Sequence, residues 1–171
     1  SYLNVTFKKI INISDIAIVN EDVQKIFLGR NQNGDPLLDV NFLWKVNAFL
    51  NSLYDDDNIF NIELYLPKDN PYSGLGYFYP EVDGIKNKKW YNLLNASSFK
   101  LLWCPYSYFD ASDYKSDLNK NERFLSTIRK VKNPNELSKI TGLLRVDFRE
   151  STVRNIMKMA SAVKGSYSYI Q

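Results

Sequence analysis

The chain has 171 residues, 44% hydrophobic and 24% charged, a mixture that suits one folded domain with one core and not a disordered tail. It holds no histidine and a single cysteine, Cys104. That excludes Ser–His and Cys–His nucleophilic pairs, imidazole acid–base chemistry, an internal disulfide and thiolate-cluster metal sites. Residues 1–85 carry 6 basic and 12 acidic side chains, whereas residues 86–171 carry 16 and 7. The basic residues fall in short, scattered groups without a nucleic-acid-binding module, so the halves are expected to attract each other within one fold. The apolar runs are too short to span a bilayer and no signal peptide opens the chain, which reads as a piece of a longer protein.

Apolar periodicity predicts a helix over 2–19, with Leu3, Phe7, Ile10, Ala17 and Ile18 on one stripe and Ile13, Ile16 and Val19 on another. Asn20, followed by Glu21 and Asp22, caps a second helix ending near Gly29. Asp35–Pro36 opens a third helix reaching about Leu53. In 59–66, Phe60, Ile62, Leu64 and Leu66 alternate with Ile59, Asn61, Glu63 and Tyr65, which predicts a strand with one apolar and one mixed face. A short aromatic strand follows at 77–79, a short helix at 87–95 and a strand at 99–109, and 110–121 reads as an exposed loop. Strands at 122–132 and 139–149 flank the turn Asn133–Pro134–Asn135–Glu136, and Ser151 caps a last helix. The expected fold is α+β, with a five-stranded antiparallel sheet and a long N-terminal helix packed on its apolar face. It is one domain over 1–171: helices in 1–54, a sheet core in 55–150 and an outgoing helix in 151–171.

Phe60, Ile62, Leu64, Leu66, Leu144, Val146 and Phe148 are expected to lie buried against Leu3, Phe7 and Ile10 of the first helix. The opposite sheet face would present Glu63, Tyr65, Tyr106, Tyr108, Arg145 and Asp147. Arg145 and Asp147 are two apart on one strand, so both point the same way, about 7 Å apart. Aromatic walls with a few fixed charges describe a small-molecule pocket, though a wet face would show the same pattern. Trp90 and Tyr91 on the short helix could stack on a ligand and hydrogen-bond to it, or Trp90 could belong to that helix's core stripe. A calcium loop beginning at Asp117 fails for want of its glycine and its twelfth ligand, and Gly74–Leu75–Gly76 is no phosphate loop. No cofactor or metal is expected. Cys104 should be a free, buried thiol.

Ser14–Asp15–Ile16–Ala17–Ile18–Val19–Asn20–Glu21–Asp22–Val23–Gln24–Lys25–Ile26–Phe27–Leu28 resembles the start of extracytoplasmic sensor regions in bacterial two-component histidine kinases, especially the YesM-like group. Those regions are Cache domains, with a PAS-like fold. Lys88–Lys89–Trp90–Tyr91 is similar to the Cache "RxWY" signature, and Gly142–Leu143–Leu144–Arg145–Val146–Asp147–Phe148 to its closing strand. The resemblance spans most of 14–160. It implies a non-catalytic, ligand-binding lobe of a membrane-anchored sensor, with Trp90, Asp147 and either Tyr106 or Tyr108 as ligand contacts. Lys88 stands where the signature has arginine, which loses the bidentate grip on a carboxylate.

The expected function is therefore small-molecule sensing outside the cytoplasm, the ligand being a sugar, an amino acid or a small carboxylate. Lys88, Trp90, Tyr91, Tyr65, Tyr106, Tyr108, Arg145 and Asp147 are the candidate contacts. Helices at the two ends would carry the signal, and a homodimer through the first helix is left open. A glycan-binding module, which would leave its aromatics on an open surface, is the alternative, as is a chemoreceptor output in place of a kinase.

Overall fold

A computed structural model describes residues 2–30, 39–54, 58–75, 79–98, 100–113, 123–152 and 154–155. Helix α1 (Tyr2–Val19) is followed by α2 (Glu21–Phe27). Asn20 separates them because its side-chain oxygen accepts the Asp22 and Val23 N–H groups at 3.1 and 3.0 Å, satisfying donors that the first turn leaves open. Helix α2 stops at Gly29, whose φ of 64° is left-handed. The Gly29 N–H reaches the Ile26 carbonyl and the Arg30 N–H the Lys25 carbonyl, each at 3.0 Å, closing the helix end in a Schellman pattern. Helix α3 spans Val40–Ser52 and starts later than Asp35–Pro36 would set it. Those two residues lie outside the described residues, and Asp39, the last before the helix, is buried and accepts the Tyr72 hydroxyl at 3.2 Å.

Four strands form one antiparallel sheet, β1 (Ile59–Tyr65), β2 (Leu101–Pro105), β3 (Phe124–Asn133) and β4 (Glu136–Arg149), in the order β1-β4-β3-β2. Of the expected fifth strand, 77 and 78 lie outside the described residues and Tyr79 is in no strand. Helix α4 (Lys89–Ala96) crosses between β1 and β2 in sequence.

One sheet face carries Ile62, Leu64, Val131, Leu144, Val146 and Phe148, packed with Ile13 and Ala17 of α1, Val23, Ile26 and Phe27 of α2, and Val46 and Leu50 of α3. The side chains of Leu3, Phe7 and Ile10, expected there too, lie outside the described residues. Phe60 departs from its expected place. A bulge between Ile59 and Asn61 breaks the alternation, so Ile59 joins the helix-side core. Phe60 instead packs edge-on against Phe124 at 5.7 Å, beside Arg149. A second irregularity, between Val131 and Lys132, lifts Ile140 off the core face to 44% exposure. Strand β1 has already ended there, since its last pair is Tyr65 with Leu143. Gly142 marks the close approach: a β-carbon on it would lie 2.5 Å from the Tyr65 carbonyl oxygen and 2.8 Å from the Phe27 ring.

The other sheet face packs Tyr65, Cys104, Ile128 and Leu143 against Ile85, Trp90 and Leu94. Strand β2 is shorter than the expected 99–109. It ends at Pro105, which has no N–H for the ladder, and the chain turns into a 3₁₀ turn over Tyr106–Tyr108 and another over Ala111–Asp113. Positions 150–152 and 154–155 are helical, and the rest of the expected last helix lies outside the described residues.

Candidate functional site

Trp90 opens the buried stripe of α4 and lies over the mixed face of the sheet, with no exposed surface. Its indole stacks on Phe109 at 5.8 Å and leans on Tyr65 at 5.6 Å, and its Nε1–H donates to the Asp113 carboxylate at 3.3 Å. Beneath it is Arg145, 1% exposed. The guanidinium Nε donates to Asp147 at 2.8 Å, and Nη1 donates to the Tyr65 hydroxyl at 3.3 Å and the Asp113 carbonyl at 3.4 Å. The Glu63 carboxylate is 3.6 Å from Nη1. Three rings surround this cation, Phe109 at 4.3 Å, Phe124 at 5.7 Å and Trp90 at 5.9 Å, the arrangement in which ring faces stabilise a desolvated guanidinium.

Each carboxylate of the cage is engaged. Asp147 also accepts from Asn61 Nδ2 at 2.7 Å and from the Ser126 hydroxyl, and Glu63 accepts the Tyr65 hydroxyl. Asp113 accepts the Asp110 N–H at 2.8 Å. At the rim Lys88 binds Asp110 at 2.8 and 2.9 Å and comes within 3.4 Å of Asp113, tying the start of α4 to the 110–113 turn. Burial alone would push the Arg145 pKa down, but Asp147, Tyr65 and Glu63 outweigh it and hold the guanidinium more firmly protonated than in water. Burial, reinforced by the Glu63 charge, pushes the Tyr65 phenol well above its usual value. Burial opposes the Lys88 charge, yet Asp110 and Asp113 raise its pKa overall. Lys88, and then Ser112, hold Asp110 down to about 2. Burial pushes the Cys104 thiol up to about 12.

Of the residues predicted from sequence, Lys88, Trp90, Tyr65, Arg145 and Asp147 come together. Tyr91 flanks Trp90 edge-on at 6.3 Å, half-buried. Tyr106 and Tyr108 do not form the expected floor, because both lie past Pro105 in the 3₁₀ turn. Tyr106 packs under Arg123 at 5.4 Å, and Tyr108 is 40% exposed. Phe109 and Asp113 stand where the tyrosines were expected. Asp113 was hidden in a stretch whose polarity reads as solvated loop. Asn61 and Ser126 were findable: Asn61 alternates onto the face of Glu63, and Ser126 pairs with Asp147 once the β3–β4 register is known.

Among the described residues no group of three His, Cys, Asp or Glu side chains is placed to hold a metal ion. Among the same residues no helix is long and apolar enough to cross a membrane. No family model matches the chain, and no curated protein matches it in sequence. The fold and site define an α+β domain whose four-stranded antiparallel sheet carries a closed arginine–carboxylate–aromatic cage under a short helix.

Proposed function

We propose that the chain is an extracytoplasmic ligand-sensing domain, a PAS-like Cache lobe of a membrane-anchored bacterial histidine kinase of the YesM-like group. In this reading the long N-terminal helix leads from the membrane. The ligand is a sugar, an amino acid or a small carboxylate, held between α4 and the sheet. One observation carries the reading. The two segments that resemble the Cache signature and its closing strand, far apart in sequence, meet at one buried point where Trp90 lies over Arg145, itself bonded to Asp147.

The cage is closed, so a ligand enters by displacing the 106–113 segment. Its oxygens would take the place of the Asp113 carboxylate at the Trp90 indole and of the Asp113 carbonyl at Arg145. Its hydroxyl or amine protons would go to Asp147, a charge-assisted contact. Displacement reaches both ends of the domain. The Glu150 N–H, where β4 passes into the following helix, is bonded to the Arg123 carbonyl at 2.9 Å, and α1 is joined to β3 by the Asp15–Arg129 ion pair. The enclosure of Trp90 favours a sensor over a glycan-binding module, which needs its rings on an open surface. A chemoreceptor would use the same domain with a different output.

A thermal-shift screen of sugars, amino acids and small carboxylates tests this. A ligand at a hundredfold excess over its Kd stabilises the fold by about 2.7 kcal/mol. Alanine at Trp90 or Asp147 is a poor control, because one is core and the other is the counter-ion of Arg145. Trp90→Phe and Asp147→Asn keep most of the packing and should each abolish a hit's shift. A shift that survives both refutes the site.

A further inference from the structure

Along the open edge of β3 beyond its last pair with β2, Leu101–Arg129, α1, the 97–100 connection and the outer ends of β3 and β4 border a groove of about 690 Å³, a size typical of small-molecule sites. Its walls bear four cations, Lys100, Arg129, Lys130 and Lys132, against one carboxylate, Asp15, with the Ser97 hydroxyl among them. Arg129 lies on the helix-side face, since it pairs with Leu144 where its neighbour Ile128 pairs with Arg145. Its Nη1 is bound to Asp15, while its Nε is buried and has no acceptor among the described residues. The fork is thus only partly used, and the carboxylate that occupies it is half-exposed.

We propose that this groove binds a small multivalent oxyanion, with Arg129 as its central contact and the three lysines supplying charge. A guanidinium with a spare N–H matches the oxygen spacing of a phosphate or carboxylate, and its affinity for either is strengthened by the excess of positive charge around it. Asp15 occupies the fork in the absence of the anion and competes with it. Binding therefore exchanges a contact between α1 and β3 for one to the ligand. The site is independent of the cage under α4, and either can fail without the other.

Titration calorimetry of the intact chain with tripolyphosphate and, separately, with citrate at low salt distinguishes a phosphate source from a carboxylate one. Saturable binding of either probe is expected, weakening as ionic strength rises. Lys100→Gln combined with Lys132→Gln should weaken it about tenfold or more. Arg129→Lys should weaken it although the charge is kept, and Asp15→Asn should tighten it by freeing the fork. Lys89→Gln, at the other end of α4, should leave it unchanged. The proposal is overturned if neither probe saturates at millimolar concentration. It is also overturned if Lys89→Gln weakens binding as much as the double substitution, or if Asp15→Asn leaves the affinity unchanged.

Discussion

Replacing Arg145 by methionine removes the only cation among the described residues that lies within the sheet-side cage, and keeps most of its volume. Glu63 is 3% exposed and Asp147 1%, so both carboxylates would be stranded away from water with their counter-ion gone. Breaking a buried ion pair from one side destabilises by about 3–5 kcal/mol, because the remaining charge loses its compensation without regaining hydration. With a urea m-value of about 2 kcal/mol/M, the unfolding midpoint should fall by roughly 1.5–2.5 M. The triple variant Glu63→Gln, Arg145→Met, Asp147→Asn should recover most of that loss. The amide oxygen at 63 still accepts from Tyr65, the one at 147 accepts from Asn61 while its N–H donates to the Ser126 hydroxyl, and the one buried charge left among these groups, Asp113, keeps Lys88 and Trp90 as partners. Urea unfolding followed by Trp fluorescence reads all three proteins. A loss below about 1 kcal/mol in the single variant would show that water reaches the cage. A triple variant no more stable than the single one would show that shape, and not charge, sets the effect.

Gly142→Ala should destabilise by about 1–3 kcal/mol, since the added methyl group meets the Tyr65 backbone oxygen and the Phe27 ring, neither of which has room to retreat; denaturant unfolding checks it. Cys104, with its pKa pushed up to about 12 by burial, should resist thiol reagents at pH 8 in the native state and react once unfolded. The Asp110 carboxyl is held below its ordinary 3.8 by Lys88, so its contribution to stability is full above that pH and is lost as pH falls toward about 2. Carbon-detected NMR titration should place its midpoint near 2, and Lys88→Ala should return it toward 3.8; a midpoint unmoved by that substitution refutes the Lys88–Asp110 pair as the cause.

The elements that sequence periodicity located well are those whose neighbours are local. Asn20 punctuates α1 and α2 because its cap bonds reach only two and three residues onward. The β3–β4 hairpin follows from its turn, where Asn133 accepts the Asn135 N–H at 2.9 Å. Period-two alternation also sorted Leu144, Val146 and Phe148 from Arg145 and Asp147. It failed at Phe60, because a bulge is set by pairing with another strand and leaves no mark in the strand's own pattern. Tyr106 and Tyr108 were misplaced for a reason present in the sequence: Pro105 ends a ladder that hydrophobic alternation alone would continue. Asp113 was not legible at all. Its burial depends on Trp90, Lys88 and Arg145 arriving from two other elements, and a carboxylate among polar residues carries no sign of that.

Buried ion pairs add little net stability over apolar residues of the same shape, so the cage is better understood through what it positions than through what it stabilises. Its bonds are unequal. Toward the sheet, Asp147 is held by Arg145 at 2.8 Å, by Asn61 at 2.7 Å and by Ser126, all from strands and all dry. Toward the 106–113 segment, the buried bonds are long, 3.3 Å from Trp90 and 3.4 Å from Arg145. The short ones there run between Lys88 and an exposed Asp110, where solvent screening leaves an ion pair worth little. A perturbation that opens the cage therefore parts it on the side of that segment and leaves the sheet side intact. Under the sensing proposal this asymmetry has a direct consequence. The ligand meets a preformed arginine and aspartate on rigid strands, and the free energy it spends on entry goes into displacing Asp113 and Phe109, not into reorganising the residues that hold it.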